Sequence, residues 1–493
     1  MSIHSLLSNP DIDDKYDELK LLLEADRSVL QLTDERFGQL PIHTACDNPH
    51  VSLRIIQLLL DKWLGSISMA DDDGNLPIHY LCANALDEGV SADILALLLE
   101  AFPESVQRES FYGKLPIHAA ARGGMSPKVL KILVNAYPES VRIQSGDGMF
   151  PIHWACDSVN CRLDSVQYLL DIYPESTNIG DSDGWLPIHY ASHSNGSQKA
   201  DVVEYFLSKD PTWKDPICAA KTNDRGRGQT PLHLACLSEP NLTVVQLLFD
   251  VFPEAIFKRD INGKIPLECA REYRANIDDA SEDDIAYLHS QKAQVINFLR
   301  TQQFYANSSS EALAVQDENG WTRLHRALKS NAPLGSIKLL VKKSADTVQI
   351  ADRNNAFPLH LACEFSSVKV VQYLMDMLDD RIWNHLDVNN DSILHYACRG
   401  GNCDVVKYLL EKQSPYVTER NADGKLPIHL LCESGSSITN TGDGYRQTNT
   451  GEEEGRPRVA PESFGKICKI SDSFPFYPIQ FIPHRYTHVL LHR

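Results

Sequence analysis

One short sequence, Pro-Ile-His or a close variant, recurs eleven times along the 493-residue chain. Most successive copies lie 34 to 36 residues apart. The residue in the histidine position, which we call the anchor, is His43, His79, His118, His153, His189, His233, Glu268, His325, His360, His395 and His429. A period of this length predicts a repeat protein in which each unit is one supersecondary element stacked on its neighbours.

Each repeat contains signals for a turn and two helices. An Asp- and Gly-rich stretch such as Asp71-Asp72-Asp73-Gly74 predicts a tight turn, because Gly accepts positive φ and Asp bonds its own backbone. The proline that follows suits the first turn of a helix, for example at 151–158. Apolar residues at three- to four-residue intervals predict second helices at 165–171, 201–208, 242–250 and 404–411. Steps such as Tyr137-Pro138-Glu139 then stop the second helix.

This unit, with Pro-Leu-His-Leu-Ala-Cys at 231–236 and 358–363, resembles the ankyrin repeat over roughly residues 35 to 434. The resemblance implies an all-α solenoid of paired antiparallel helices with turn or hairpin tips, in which tips and first helices line a concave face. The family usually has Thr before the proline, where its hydroxyl helps to fix the histidine. Here only Thr230, Thr322 and Ser392 supply a hydroxyl. We therefore expect most repeats to lack that hydrogen bond.

The spacing of the anchors widens at two places. A step of 44 residues before His233 predicts a loop near 209–228, and one of 57 before His325 predicts an acidic insert near 274–291. The second insert either lengthens a helix pair or separates two arrays. The predicted domains are an N-terminal half-repeat cap at 1–34, a first array of seven repeats at 35–301, a linker at 302–316, a second array of four repeats at 317–434, and a largely disordered tail at 435–493. Whether that tail is the natural C-terminus or folds back as a cap stays open.

The charge balance limits the possible partners. Lys and Arg number 47 against 66 Asp and Glu, a net charge of −19, which argues against nucleic-acid and anionic-membrane binding. Apolar runs reach only about six residues, against the 18 or more of a membrane-spanning helix. The first ten residues lack the basic and apolar regions of a signal peptide. The sequence predicts a monomeric cytoplasmic protein, with the nucleus as the alternative.

Seven anchors have Cys three residues later, as in His43 and Cys46. Such a pair shares a helix face and could hold a metal, but a zinc site needs four converging ligands and these pairs lie one layer apart. Free Cys also behaves as a small core residue, and layers roughly 8–10 Å apart are too distant for disulfides. The turn at Asp71 has Cys82 where a calcium loop needs Glu. With no catalytic motif present, we predict no metal, no cofactor and no enzyme activity.

Function must then come from the surface. In the ankyrin pattern, contact positions lie at the turn tips and just after their Gly, and aromatic and Arg side chains dominate interfaces. These positions and one near a first-helix end give the candidate protein-binding residues Arg36, Phe37, Phe111, Tyr112, Met149, Trp185, Trp321 and Phe365. Packing of some of them against the adjacent turn is the alternative. The first hypothesis is a non-catalytic scaffold or adaptor that binds partner proteins of unknown identity through its concave surface. The second is a regulatory subunit or fragment of a larger signalling enzyme whose catalytic module is absent from this chain.

Overall fold

A computed structural model describes residues 2–84, 88–209, 222–223, 226–273, 281–307, 309–378, 380–412 and 417–435. In these residues all regular secondary structure is helical, which confirms the predicted all-α solenoid. The chain divides into two compact units, Met1–Arg300 and Thr301–Arg493. Repeats 1 to 7, numbered by their anchors, begin in the first unit, and repeats 8 to 11 lie in the second.

Each repeat begins with a short helix that carries its anchor. In nine repeats proline occupies the first position, where its missing N–H has no intrahelical partner to lose. The first helices are Pro41–Asp47, Pro77–Ala83, Pro116–Arg122, Pro151–Asp157, Pro187–His193, Pro231–Leu237, Pro266–Glu272, Arg323–Lys329, Pro358–Phe365, Ile393–Arg399 and Pro427–Gly435. Within each unit, first helices of adjacent repeats pack against each other.

A second helix packs behind the first. The second helices are Leu53–Lys62, Glu88–Ala101, Pro127–Ala136, Leu163–Ile172, Lys199–Lys209, Leu242–Val251, Glu282–Asn307, Leu334–Lys343, Val368–Met377 and Cys403–Glu411. The four second helices that the pattern predicted, at 165–171, 201–208, 242–250 and 404–411, were therefore located to within a few residues. In Leu242–Val251 the buried side chains are Val244, Val245, Leu248 and Phe249, whereas Leu247 is only half-buried.

The aromatic-Pro-Glu step does more than end the second helix. Its proline opens a 3₁₀ turn that leads into the next repeat, a feature that the sequence pattern did not predict. These turns are Leu64–Ser68, Pro103–Gln107, Pro138–Arg142, Pro174–Asn178, Pro253–Phe257 and Ala345–Gln349. Repeats without the proline form the same turn, so proline favours it but is not required.

The N-terminal segment packs on repeat 1. It consists of helices Ile3–Leu7 and Tyr16–Ala25 and the 3₁₀ turn Arg27–Gln31. The Asn48 side chain donates hydrogen bonds to the carbonyls of Leu7 at 2.7 Å and Asn9 at 2.9 Å. The first helix of repeat 1 therefore has a neighbour on its N-terminal side.

Part of the acidic insert belongs to an unusually long second helix. Glu282–Asn307 has 26 residues, against about ten in most other repeats. The proposed linker at 302–316 contains the end of this helix and a short helix, Ser310–Ala314, whose Leu313 is buried. The remaining short helix is Asp380–Trp383. Residues 210–221, 224–225, 274–280 and 436–493, which include most of the predicted loop, the start of the insert and the tail, lie outside the described residues.

Candidate protein-binding surface

In seven repeats the tip is built by an Asp or Asn residue that folds the backbone around its own side chain. In repeat 2, Asp71 Oδ1 accepts the backbone N–H groups of Asp73 at 3.0 Å and Asn75 at 2.7 Å. The same two bonds form in other repeats around Asp181, Asp260, Asp317, Asp352, Asp387 and Asn421. This bonding defines the position of the two residues at each tip.

Backbone hydrogen bonds join neighbouring tips. Phe111 N–H donates to the carbonyl of Asp73 at 2.9 Å, and Gly146 N–H donates to the carbonyl of Tyr112 at 2.8 Å. Gly74 sits at φ +78°, and a Cβ there would lie 2.8 Å from the Phe111 ring. The close approach and the positive φ both require glycine. The tips therefore form a continuous bonded row in these repeats.

The anchor histidines connect one repeat to the next. His153 Nδ1 accepts the backbone N–H of Phe150 at 3.1 Å, and its Nε2 donates to the carbonyl of Ile179 in repeat 5 at 3.1 Å. His79 and His118 make equivalent bonds. In these three repeats both ring nitrogens of the anchor are thus used in packing.

The anchor histidine stays hydrogen-bonded in repeats that lack the threonine hydroxyl. The hydroxyls of Thr230, Thr322 and Ser392 lie 2.8–2.9 Å from the anchor Nδ1, as the sequence comparison implied. In those repeats and in the others, the backbone N–H three residues before the anchor also reaches this nitrogen. In repeat 7, Glu268 Oε2 takes the same N–H, from Ile265, at 2.8 Å. The backbone N–H at the start of the helix needs a hydrogen-bond acceptor, and either a histidine nitrogen or a glutamate oxygen can supply it.

Burial shifts the titration of these inner residues. It lowers the pKa to about 4 at four anchors: His79, His118, His153 and His360. It raises the pKa of the Cys161 and Cys269 thiols to about 12. Neutral, buried thiols of this kind are poor nucleophiles and metal ligands. In the part of the chain that the structure describes, no three His, Cys, Asp or Glu residues converge to hold a metal.

Four of the eight candidate binding residues are exposed. Phe111 is 77% exposed, Tyr112 60% and Phe37 49%, and Arg36 is also exposed. All four lie at the tips of repeats 1 and 3. At such exposure these side chains add little to the core and remain accessible at the surface.

The other four candidates pack within the protein. Met149 is only 5% exposed, so its side chain belongs to the core and offers no surface to a partner. Trp185 is half-buried, with its ring 5.0 Å from that of Tyr190 and 5.7 Å from that of His193. Trp321 and Phe365 are partly buried against the core of the second unit. For these positions the alternative interpretation, packing against the adjacent structure, describes the geometry.

A cationic cluster lies next to the exposed tip of repeat 3 and was absent from the sequence prediction. Lys114 Nζ lies 4.3 Å from the ring centroid of Trp154 and 5.6 Å from that of Tyr112. The Arg122 guanidinium carbon lies 5.2 Å from the same Trp154 ring. Burial, together with the charge of Arg122, lowers the pKa of Lys114. We call Lys114, Arg122 and Trp154 the repeat 3–4 cluster.

The positions of these residues relative to their anchors could have revealed this cluster from the sequence. Lys114 and Arg122 stand four residues before and four after their anchor, His118, and Trp154 directly follows the next anchor. Comparing the charges at equivalent positions across repeats would have placed two cations beside one indole.

The second unit has a related cluster with carboxylate partners. Lys329 Nζ lies 4.4 Å from the Trp321 ring centroid, and Arg326 pairs with Asp317 at 2.6 Å. Arg399 pairs with Asp391 and lies 3.9 Å from Glu364. Burial raises the pKa of Glu364, while Arg399 and Lys329 oppose that shift. We call the set Trp321, Arg326, Lys329, Glu364 and Arg399 the repeat 8–10 cluster.

The fold and its tips define a helical repeat protein with a preformed surface and buried anchors. Family models for ankyrin repeats match residues 117–215, 227–251, 285–383 and 359–410. The chain therefore belongs to the ankyrin-repeat family, whose repeats are generally protein–protein interaction modules and typically non-catalytic. A search of curated proteins finds no match to the chain. No helix in the described residues is long and apolar enough to cross a membrane.

Proposed function

We propose that this protein is a non-catalytic scaffold or adaptor of the cytoplasm or nucleus, which binds partner proteins through the inner face and tips of repeats 1 to 4. The exposure of Phe37 at the tip of repeat 1 and of Phe111 and Tyr112 at the tip of repeat 3 carries this proposal. Aromatic side chains with Arg nearby are the residues that contribute most to protein–protein binding.

The tips are suited to this role because their backbone is already ordered. The row of hydrogen bonds through Asp73, Phe111 and Tyr112 fixes the backbone that carries the aromatic rings. A partner then binds without ordering a loop, which reduces the entropic cost of association. A monomeric chain is sufficient for such an interface.

The experiment uses partners captured on the full chain from an extract and then purified. Their affinity is measured for the wild type and for the Phe111→Ala/Tyr112→Ala double variant. Loss of two interface aromatics is expected to weaken binding about thirtyfold or more. Melting temperature should hardly change, since neither side chain is in the core.

The matched control is Ile261→Ala/Val388→Ala, which removes two apolar tip residues of similar exposure, 58% and 60%, from other repeats. The control should bind as the wild type does. Equal loss in both variants would show nonspecific apolar contact, and wild-type affinity in the Phe111/Tyr112 variant would refute the proposed surface.

A further inference from the structure

The repeat 3–4 cluster holds two cations that form no close ion pair, although Asp147 and Asp157 act on them electrostatically. Neither Lys114 nor Arg122 forms an ion pair within 4 Å in the described part of the chain. Both lie over the Trp154 ring, which is 6% exposed and therefore forms the base beneath them. Arg122 is exposed and Lys114 half-buried, so solvent reaches both.

This arrangement is unexpected in a chain with a net charge of −19. Carboxylates outnumber cations in this chain, and in the repeat 8–10 cluster Arg326 and Arg399 form ion pairs with Asp317 and Asp391. Two cations beside one indole repel each other, and their attraction to the ring only partly offsets that repulsion. An external anion between them would relieve it.

We propose that Lys114 and Arg122 form a subsite for a carboxylate of the partner protein, an Asp or Glu side chain that binds above Trp154. The subsite rests on the proposed function and specifies its partner: a protein segment with an acidic residue next to an apolar one. The apolar part reaches Phe111 and Tyr112, since Lys114 also lies over the Tyr112 ring.

A carboxylate fits this subsite better than a phosphate. Asp147 and Asp157 both act electrostatically on the cluster, Asp147 on Lys114 and Asp157 on Arg122. A doubly charged phosphate would face more repulsion from these groups than a singly charged carboxylate, while two cations are enough to balance the latter.

The test uses fluorescein-labelled hexaglutamate as the probe and the full chain as the receptor, followed by fluorescence anisotropy. Salt at about 0.15 M screens the net charge of the protein beyond about 8 Å. Hexaglutamate is expected to bind, and hexaglutamine of the same length is not. The Lys114→Gln/Arg122→Gln variant should bind the probe about tenfold more weakly or worse.

The matched control is Arg326→Gln/Lys329→Gln, which removes two cations of the repeat 8–10 cluster, Arg326 paired with Asp317 and Lys329 over Trp321. It should bind hexaglutamate as the wild type does. Thermal melting of both variants verifies that each is folded.

Three results would overturn the subsite: no binding of hexaglutamate, unchanged binding by the Lys114/Arg122 variant, or equal loss in the control. Displacement of the probe by millimolar inorganic phosphate would overturn the choice of carboxylate. These failures are separate from failure of the proposed function, because the Phe111/Tyr112 measurement uses captured partners and does not depend on acidic peptides.

Discussion

The repeat 3–4 cluster and the repeat 8–10 cluster place a tryptophan under cations in the same helical framework, yet they differ in what surrounds the cations. In repeats 8 to 10, Arg326 and Arg399 pair with Asp317 and Asp391 of their own tips. In repeats 3 and 4 the residues that correspond to Asp317 are Ser110 and Ser145, and those that correspond to Asp391 are Lys114 and Met149, so none of them is acidic.

The same difference affects the aromatic residues. Trp321 donates through Nε1 to Asp352 at 3.0 Å and packs on the core, whereas Phe111 and Tyr112 project from a serine-based tip. An acidic tip residue therefore satisfies neighbouring groups within the protein, and its replacement by serine leaves them available. In one part of a repeated fold these groups are therefore exposed, and there we propose that they bind partners, while in another part they stabilise the structure.

The largest expected effect is shared by both clusters, because it involves the anchors beneath them. A histidine has an ordinary pKa of 6.5, and burial lowers that of His118, His153 and His360 to about 4. Between these values the unfolded chain binds protons that the folded chain excludes. The free energy of unfolding should therefore fall as the pH decreases from 6.5 to 4, by about 1.4 kcal/mol per pH unit for each such histidine.

Urea unfolding at neutral pH and at about pH 5 measures this slope. Burial raises the pKa of Asp157 and Glu364, so these carboxyls add stability on acidification and offset part of the loss. A His153→Gln variant should show a shallower slope than the wild type. Stability that is constant or increases toward acid would contradict neutral, buried anchors.

The next largest effect distinguishes the clusters directly. Arg399→Gln should lower the free energy of unfolding by about 2 kcal/mol, because it leaves the buried Asp391 carboxylate without its cation. That figure is reduced from the usual cost since Arg399 is itself 38% exposed. Arg122→Gln, at the same position of repeat 3, should change stability by less than about 0.5 kcal/mol.

Equilibrium denaturation of the two variants gives the comparison. Equal losses would mean that Arg122 is as deeply engaged as Arg399, and the contrast between the clusters would then be wrong.

A third prediction compares the aromatic tips. Trp321→Ala should cost roughly 2 kcal/mol, since it removes packing on the core and the hydrogen bond to Asp352. Phe111→Ala should cost less than about 0.5 kcal/mol because its side chain is 77% exposed. Melting by circular dichroism distinguishes them, and a larger loss for Phe111 would reverse their assigned roles.

Sequence periodicity was sufficient to predict the fold because each repeat forms the same turn and helix pair from local signals. The proline that starts Pro151–Asp157 and the apolar spacing of Leu163–Ile172 act within a few residues. The periodicity of Leu242–Val251 does not by itself separate the buried Leu248 from its half-buried neighbour Leu247.

The surface was harder to predict because exposure depends on the neighbouring repeat. Trp185 occupies a position that the ankyrin pattern marks as a contact, yet Tyr190 and His193 pack against its ring. The availability of Lys114 depends on whether a carboxylate lies nearby in another repeat. The contact of Lys114 with Trp154 joins residues about one repeat apart, so no local window of sequence contains both. The contacts of Trp185 lie within one repeat, but only the folded geometry shows that the rings meet.

The most direct test of the proposed surface is site-specific photo-cross-linking. A benzophenone side chain replaces Phe111 in one variant and Val388, a tip residue of repeat 10 at 60% exposure, in another. With a purified partner, we expect a cross-linked product from position 111 and none from position 388. A product from position 388 alone would contradict the assignment of binding to the exposed tips of repeats 1 to 4.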